Sequence, residues 1–428
     1  MSTLFSPLAI ANGRIQLRHR VVMAPMTRNR GLLFEQTNET TGDVWLADDV
    51  VAQYYSQRAS PGGLLITEGI PPSLEASGMP QVPGLFDDAQ HAGWKAVVDA
   101  VHARGGFVYA QLWHAGRATI PHFTGGPGTH VSASSVPWDD PAATYPFRTR
   151  DAKKEKVKYS DFPSTAMTDA HIAQTTADFV QAARTALALG FDGVEINGGN
   201  GNLLDQFLHS NLNLREDAYG GSLMKRCKFP LDLIGAVVEA AGGAGNVGVR
   251  LEPAGLYQGT RGDERVETWS YLCDQLAERY GKAAAGETLS YVHFIEPRFD
   301  RIDADAATAA AFRTSWSSTQ PGLPISNEPF RAILAAAGIP CIVCGGGWTS
   351  SQDVESTALG PRKWDAMAFA RMFVSNPDLP ERLRLGKPLA AVDRSRLYGS
   401  WDGVREHGYV DYPTWVEEEE AKAKQETG

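Results

Sequence analysis

Eight short runs of apolar and β-branched residues recur along the chain, and longer segments between them repeat their apolar residues every three or four positions. None of the runs alternates cleanly with polar residues, which indicates strands covered on both faces. Alternating strands and helices with parallel connections predict an α/β fold, a single-domain (β/α)8 TIM barrel over residues 1–428. The eight runs span residues 21–25, 63–69, 107–113, 191–197, 247–253, 289–297, 341–347 and 366–372.

Length and composition fit such a barrel without selecting it. A chain of 428 residues can form one large barrel with insertions or two ordinary domains. The net charge of -10 and the pI near 5.5 exclude an electrostatic footprint for nucleic acid or for an anionic membrane. No signal peptide or membrane-spanning run is apparent, so we expect a cytoplasmic enzyme that acts on small molecules, with its oligomeric state open.

One connection is far longer than the others. Residues 119–165 follow the third strand and carry six prolines and the charge run DAKKEKVK, without a periodic stretch. Loops of this length are usually lids, binding loops or disordered segments. Because the segment follows a strand, it leaves from the barrel's active face, and we predict a lid there. Residues 400–428 form a C-terminal tail.

The ends of the last two strands predict a phosphate site. In a barrel of this kind, phosphate is often bound by the loops after strands 7 and 8. Strand 7 ends in Gly345, Gly346 and Gly347, where backbone amides can approach a phosphate, and strand 8 ends in Arg371, a bidentate phosphate partner. A tight turn and a surface ion pair explain each feature equally well alone, but their joint placement favours phosphate.

Two motif-like patterns are better explained by structure. Residues 243–248 have the glycine spacing of a dinucleotide-binding loop, but they follow a helix and precede a strand, the reverse of the required order. Cys341 and Cys344 have redox spacing, yet they lie in one strand, where positions three apart point to opposite faces. The four cysteines of the chain are too few for a disulfide framework, so we expect reduced thiols and no metal site.

The segments around the strand ends, taken in order, resemble the old yellow enzymes, a family of flavin-dependent ene-reductases on a (β/α)8 barrel. The resemblance covers nearly the whole chain. It implies non-covalently bound FMN, with NADPH or NADH as the electron donor. The segments that carry it are HRVVMAPMTRNR, YYSQRASPGGLLITEG, QLWHAGRA, GFDGVEINGGNGNLLDQFL, YGGSLMKRCKFPL, VGVRLEP, HFIEPR and FARMFVSNPDLPERL.

The resemblance also implies which residues contact the flavin. Pro25, Met26 and Thr27 would lie along the ring, with the Thr27 hydroxyl bonded to its O4. Gln111 and Arg250 would bind the pyrimidine edge, where Arg250 stabilises negative charge near N1. The glycine run 345–347 and Arg371 would bind the phosphate of FMN. Taken singly, Thr27, Gln111 and Arg250 would have ordinary structural roles.

The segment after the fourth strand departs from the family pattern. Asn197 and Asn200 match the pair that resembles a clamp on the substrate carbonyl, where preorganised donors stabilise the developing charge. Asn202 stands where the family normally has a tyrosine, which looks like the acid that protonates the substrate's α-carbon. A carboxamide has no proton that is acidic near neutral pH. Met79 is a second departure, because many relatives carry an aromatic residue in that part of the pocket.

Three consequences of this departure stay open. In the first, another acid replaces the tyrosine: Tyr398, which matches a pocket tyrosine of the family, or water, with His114 ranked below Tyr398. Alternatively, the enzyme is an isomerase, a dehydrogenase or a rearrangement enzyme that needs no such proton, and acts on a specialised metabolite. Last, the reductase is simply slow. We favour a dedicated biosynthetic substrate over general detoxification.

Two alternative functions belong to different classes of protein, a hydrolase and a non-catalytic flavin-binding scaffold. Glu68, Glu252 and Glu296 lie at strand ends, and paired carboxylates are typical of barrel glycosidases. That hydrolase would leave the glycine run and Arg371 without a role. A non-catalytic flavin-binding scaffold would leave the asparagine cluster without one.

Overall fold

A computed structural model describes residues 3–36, 43–126, 128–148, 155–345, 364–399 and 403–427. Within these ranges, eight parallel strands close into a barrel in chain order, with the last paired to the first. The predicted (β/α)8 fold is confirmed, and each strand lies within or one residue beyond its predicted run. The barrel strands are β1 (Val21–Met23), β2 (Leu64–Ile70), β3 (Phe107–Leu112), β4 (Gly193–Gly198), β5 (Val247–Leu251), β6 (Tyr291–Ile295), β7 (Cys341–Cys344) and β8 (Ala366–Phe369).

Helices follow the strands on the outside of the barrel. Local sequence sets the starts of two of them: Asp87, in a capping box with Gln90, caps the helix that begins at Asp88, and Thr168 caps the helix that begins at Asp169. The described helices are α1 (Asp49–Arg58), α2 (Asp88–His102), α3 (Asp169–Ala188), α4 (Leu203–Leu208), α5 (Leu223–Ala240), α6 (Arg265–Tyr280), α7 (Lys282–Ala285), α8 (Phe299–Ile302), α9 (Ala306–Trp316), α10 (Glu328–Ala336), α11 (Arg371–Ser375), α12 (Leu379–Leu385) and α13 (Trp415–Thr427).

Side chains alternate between the two faces of each barrel strand. In β4, Val194 and Ile196 pack outward into the core beneath the helices. Inward residues such as Tyr109 and Tyr291 form a separate cluster inside the barrel, where the N-terminal hairpin of strands Leu8–Ile10 and Ile15–Leu17 packs against them. The hairpin closes the N-terminal end. Inward residues near the carboxyl ends of the strands therefore face the loops that follow them, where barrel sites lie.

The long segment after β3 is folded over most of its described length. Strands Val131–Ser132 and Thr165–Ala166 pair in parallel, which the sequence pattern did not predict. Ile120, Phe123, Tyr145 and Tyr159 form a buried apolar cluster of their own. The hydroxyl of Tyr145 donates to the carbonyl of Gly78, which ties the segment to the loop after β2. Movement of this segment as a lid remains a prediction.

The two motif-like patterns have the structural roles that the sequence indicates. The 3-10 turn Ala244–Asn246 lies between the end of α5 and the start of β5, so residues 243–248 form a helix-to-strand turn. Cys341 belongs to the outer core and Cys344 to the inner cluster, and all four thiols are buried and free. Among the described residues, no group of side chains could hold a metal ion. None of the described helices is long and apolar enough to cross a membrane.

Candidate active site

A chain of hydrogen bonds inside the barrel holds Asn197 in place. The Asn197 amide donates to Gln111 Oε1 over 3.1 Å, and Gln111 Nε2 donates to Glu195 Oε1 over 2.6 Å. The other Glu195 oxygen meets His293 Nδ1 at 2.9 Å. These residues lie on the inner faces of β3, β4 and β6 and are at most 5% exposed. The network fixes the direction of the Asn197 side chain.

Glu195 remains ionised in this buried position. Burial raises its pKa, but His293, Arg250 and the hydrogen bond from Gln111 together hold the pKa of Glu195 below its usual value. Sequence reasoning missed the pair of Glu195 and His293. A signal was available, because Glu195 and His293 are polar residues within the apolar runs VEI and VHF, both at inward-facing positions.

Arg250 and Glu252 hold the second asparagine from the next strand. Arg250 is 7% exposed and donates from its guanidinium to Asn200 Oδ1 over 3.3 Å. The side-chain amide of Asn200 donates to Glu252 Oε2 over 3.2 Å, and its backbone N–H donates to the same oxygen over 2.7 Å. Asn197 and Arg250 are register partners across β4 and β5. The two asparagines predicted to form the clamp are therefore brought to the same part of the barrel mouth.

The turn that carries the three asparagines is tight, and its glycines are needed for close approach. A Cβ on Gly199 would lie 2.9 Å from the Cβ of Glu252. Gly201 has a φ of +69°, and a Cβ there would lie 2.6 Å from the Cβ of Gln258. Such distances leave no room for a side chain. The glycine content of the turn thus has a packing cause, separate from its chemistry.

Asn202 is the residue immediately before α4 and is 7% exposed. Its side chain does not cap the helix. Instead, Asn202 Nδ2 lies 3.4 Å from Asn197 Oδ1, which also accepts from the Gly199 N–H over 3.0 Å. The amide of Asn202 therefore contributes to the orientation of Asn197.

The residues expected along the flavin lie where β1 and β7 end. Pro25, Met26 and Thr27 follow β1 after Ala24; Pro25 is buried, and the other two are half-buried. Gly345 follows β7 with a φ of +113°. Gly346 and Gly347 lie outside the described residues.

Arg371, predicted at the end of strand 8, is instead the first residue of α11. It lies two residues after the end of β8 and is exposed. It therefore remains on the carboxyl side of β8, on the same face of the barrel as Gly345.

The predicted pocket residues occupy different segments. Met79 is half-buried in the loop after β2. Tyr398 is 51% exposed, and its neighbour Gly399 donates to the carbonyl of Arg28, which follows Thr27. This contact places the tail beside the loop after β1.

His114 is packed rather than available for acid chemistry. It is 3% exposed, and its Nδ1 accepts from the Gly116 N–H over 3.0 Å. Burial lowers the pKa of His114 to about 3, so the ring is neutral near pH 7. Arg117, in the same motif QLWHAGR, stacks on the ring of Trp138 at 4.4 Å.

Two of the three carboxylates considered for a hydrolase, Glu68 and Glu252, have different neighbours. Glu68 is fully buried against Arg28, whose backbone N–H bonds to it, and burial raises its pKa to about 8. Glu252 follows β5 and accepts hydrogen bonds from Asn200, and its charged neighbours are Asp205, Arg250 and Arg265. Because the two interact with different groups, the paired geometry of a glycosidase is not indicated.

Comparison with known proteins decides the family. Residues 3–390 match the model of the NADH:flavin oxidoreductase / NADH oxidase family. The chain belongs to the old yellow enzymes. It is 41% identical over 413 residues to flavin oxidoreductase hxnT of Emericella nidulans, covering 96% of this chain and 98% of that protein. It is 35% identical to chanoclavine-I aldehyde reductase fgaOx3 of Penicillium roqueforti, covering 96% of each.

A solved structure supports the same conclusion. Morphinone reductase superposes with a TM-score of 0.76 at 34% identity, covering 96% of both chains. A complex of morphinone reductase with tetrahydroNAD is also similar, with a TM-score of 0.73 and 32% identity. This old yellow enzyme is therefore an FMN-dependent NAD(P)H oxidoreductase, and the hydrolase interpretation is wrong.

The described residues fit FMN at the mouth of the barrel. Arg250 Nε is buried and has no hydrogen-bond partner among the described residues. A buried donor of this kind normally has a partner, so an acceptor is expected beside it. A flavin ring supplies acceptor atoms along its pyrimidine edge. Arg250 and Gln111 would hold that edge, and the backbone after β7 with Arg371 would hold the phosphate.

Proposed function

We propose that this old yellow enzyme reduces the carbon–carbon double bond of an α,β-unsaturated carbonyl compound, with an amide clamp on the carbonyl and no acid at position 202. The observation that carries the proposal is the placement of Asn197 and Asn200. Both amides lie at the barrel mouth, and each is oriented by a buried network that ends in a carboxylate. Because each Nδ2 carries two N–H groups and uses one in these bonds, each retains a donor for a substrate.

The reaction balances as a two-electron reduction. NAD(P)H is oxidised to NAD(P)+, the β-carbon receives the hydride, the α-carbon receives a proton, and the double bond becomes single. Bound FMN supplies the two-electron carrier between the nicotinamide and the substrate. Asn197 and Asn200 donate to the carbonyl oxygen, where negative charge develops as the hydride arrives. Donors held in place before the reaction stabilise that charge at no further cost in reorganisation.

The proton must come from a group other than Asn202. His114 is a poor source, because its lowered pKa leaves it neutral and its ring is packed. Tyr398 is the best candidate among the residues considered, since a phenol is an adequate acid when positioned, and its half-exposed ring belongs to the tail beside the loop after β1. Water is the alternative source, and it needs no particular residue.

An anaerobic experiment tests the proposal. The bound flavin is reduced with NADPH, cyclohexenone is added, and reoxidation is followed by flavin absorbance together with product analysis. Reoxidation that yields saturated cyclohexanone supports an ene-reductase. Reduction by NADPH without conversion of a series of activated enones contradicts it.

The second outcome would support a different candidate function. The lack of an acid at position 202 is compatible with an isomerisation, a dehydrogenation or a rearrangement of a specialised metabolite, in which no net proton is delivered to the α-carbon. One relative, chanoclavine-I aldehyde reductase, is named for a specialised substrate. A biosynthetic role for this chain is therefore a reasonable part of the proposal.

A further inference from the structure

Two buried carboxyl groups lie behind the asparagine turn. Glu252 Oε2 accepts from the backbone N–H and the side-chain amide of Asn200, over 2.7 and 3.2 Å. Asp205 Oδ2 accepts from the N–H of Gly201 over 2.9 Å. Asp205 and Glu252 are 0% and 2% exposed. Three donors of the turn therefore bond to carboxyl groups from two other parts of the chain, α4 and the end of β5.

These bonds hold the backbone in an uncommon conformation. Asn200 has a φ of +59° and Gly201 a φ of +69°. Asparagine tolerates the left-handed region better than most residues, but two successive positions there require support from their surroundings. The N–H of each of these positions donates to one of the two carboxyl groups. The conformation that presents the Asn200 side chain is thus linked directly to Glu252 and Asp205.

Two arginines lie near these carboxyls, and Arg250 bonds to the Asn200 side chain. Arg265 is fully buried, and its guanidinium donates to the carbonyls of Pro253, Gly255, Thr260 and Gly262. Arg265 therefore acts on the two carboxyls through its charge alone. The hydrogen bonds that the two carboxyls accept come from the turn, and His209 Nε2 lies 3.4 Å from Asp205 Oδ1.

We propose that Glu252 is a positioning residue, which, supported by Asp205, holds Asn200 in the left-handed conformation and directs its amide to the substrate carbonyl. Arg250 bonds to the oxygen of that amide and Glu252 to its nitrogen, so the pair selects one of the two amide orientations. Arg250 cannot accept a hydrogen bond and Glu252 in its ionised form cannot donate one. The proposal rests on the proposed function, since the clamp is defined by the carbonyl it binds.

A double-mutant cycle tests whether Glu252 acts through Asn200. Glu252→Gln removes the charge at nearly constant shape, and Asn200→Gly removes the amide without straining a positive φ. With cyclohexenone, Glu252→Gln is expected to lower kcat roughly 10-fold to 100-fold, with a smaller change in KM, because the clamp is strongest in the transition state. In the Asn200→Gly background, the same substitution is expected to have no further effect. Losses that multiply would overturn the proposal.

Amide exchange provides a readout that needs no substrate. In the flavin-bound enzyme, hydrogen–deuterium exchange of a peptide that spans residues 197–202 is expected to accelerate in Glu252→Gln and in Asp205→Asn. Asp365→Asn is the control, because Asp365 also accepts a backbone N–H, that of Cys341, but at the other end of the barrel. Unchanged exchange in both test variants would refute the positioning role. If exchange accelerates while the wild-type enzyme reduces no enone, the proposed function fails and the support of the turn stands.

Discussion

Asn202 Nδ2 lies 3.4 Å from Asn197 Oδ1, so the residue predicted to replace the family's tyrosine contacts the predicted clamp. The same Asn197 oxygen accepts the Gly199 N–H. With its oxygen engaged by these two donors and its nitrogen bonded to Gln111, the Asn197 amide has one orientation. Asn202 thus has a structural role that does not depend on acid chemistry.

Asn202→Tyr tests whether proton delivery limits the reaction. The new phenol would supply an acid, and a positioned general acid typically contributes about 100-fold or more. We expect Asn202→Tyr to reduce cyclohexenone faster than Asn202→Phe, which has the same bulk without the hydroxyl. The measurement is flavin reoxidation under anaerobic conditions. Equal rates in the two variants would mean that protonation is not limiting.

Tyr398→Phe tests whether Tyr398 donates the proton to the substrate. If Tyr398 donates the proton, its loss is expected to slow reoxidation by the enone about 100-fold, while reduction of the flavin by NADPH continues at the wild-type rate. The two half-reactions are measured separately by stopped-flow absorbance. An unchanged oxidative half-reaction would assign the proton to water.

Sequence reasoning succeeded where the relevant information is local. The recurring apolar runs, such as VEIN and VGVRL, predict the strands of the barrel. The positions of Asn197 and Arg250 at the mouth follow from their places near the ends of these runs. Residues expected at the flavin came from the resemblance to a family, and their roles remain predictions.

The supporting network was not predictable in the same way. Glu195 and His293 are 98 positions apart, and Asn200 and Glu252 are 52 positions apart. Barrel closure brings them together, and no local pattern encodes which inward residues will be neighbours. Glu252 was considered only as a hydrolase carboxylate, because its partner in the asparagine turn is apparent only in three dimensions.

Removal of Arg371 tests the phosphate site. Arg371 is exposed at the start of α11, on the same face as Gly345. Loss of one charge-assisted contact to a phosphate is expected to weaken FMN binding roughly 10-fold or more. The dissociation constant for FMN is measured by fluorescence titration for Arg371→Ala and for Arg384→Ala, an exposed arginine of α12. Equal affinities in the two variants would place the phosphate elsewhere.

Arg58 tests how the C-terminal tail is held. Its guanidinium donates to the carbonyls of Phe373, Val374 and Tyr409, at 2.7, 2.7 and 3.1 Å. Arg58→Met would leave these buried carbonyls without that donor, which we expect to lower the free energy of unfolding by about 3 kcal/mol. Urea denaturation measures the change. A midpoint equal to that of wild type would show that the tail does not depend on Arg58.

The pH dependence of stability provides a test of the carboxyls behind the turn. Burial raises the pKa of Glu252 and that of Asp205 to about 7 in the folded protein. Because these values exceed those of the unfolded chain, the folded state binds the protons more tightly. The resulting stabilisation is complete below about pH 4 and is lost as the pH rises through about 7.

Glu252→Gln should therefore flatten the decline of Tm between about pH 5 and about pH 8, since glutamine does not titrate. Buried His19 and His130 act in the opposite direction in acid, because burial lowers the pKa of each to about 4. They contribute equally to both proteins, so the difference between the variant and wild-type curves isolates Glu252. Parallel curves across this range would show that Glu252 does not change its protonation on folding.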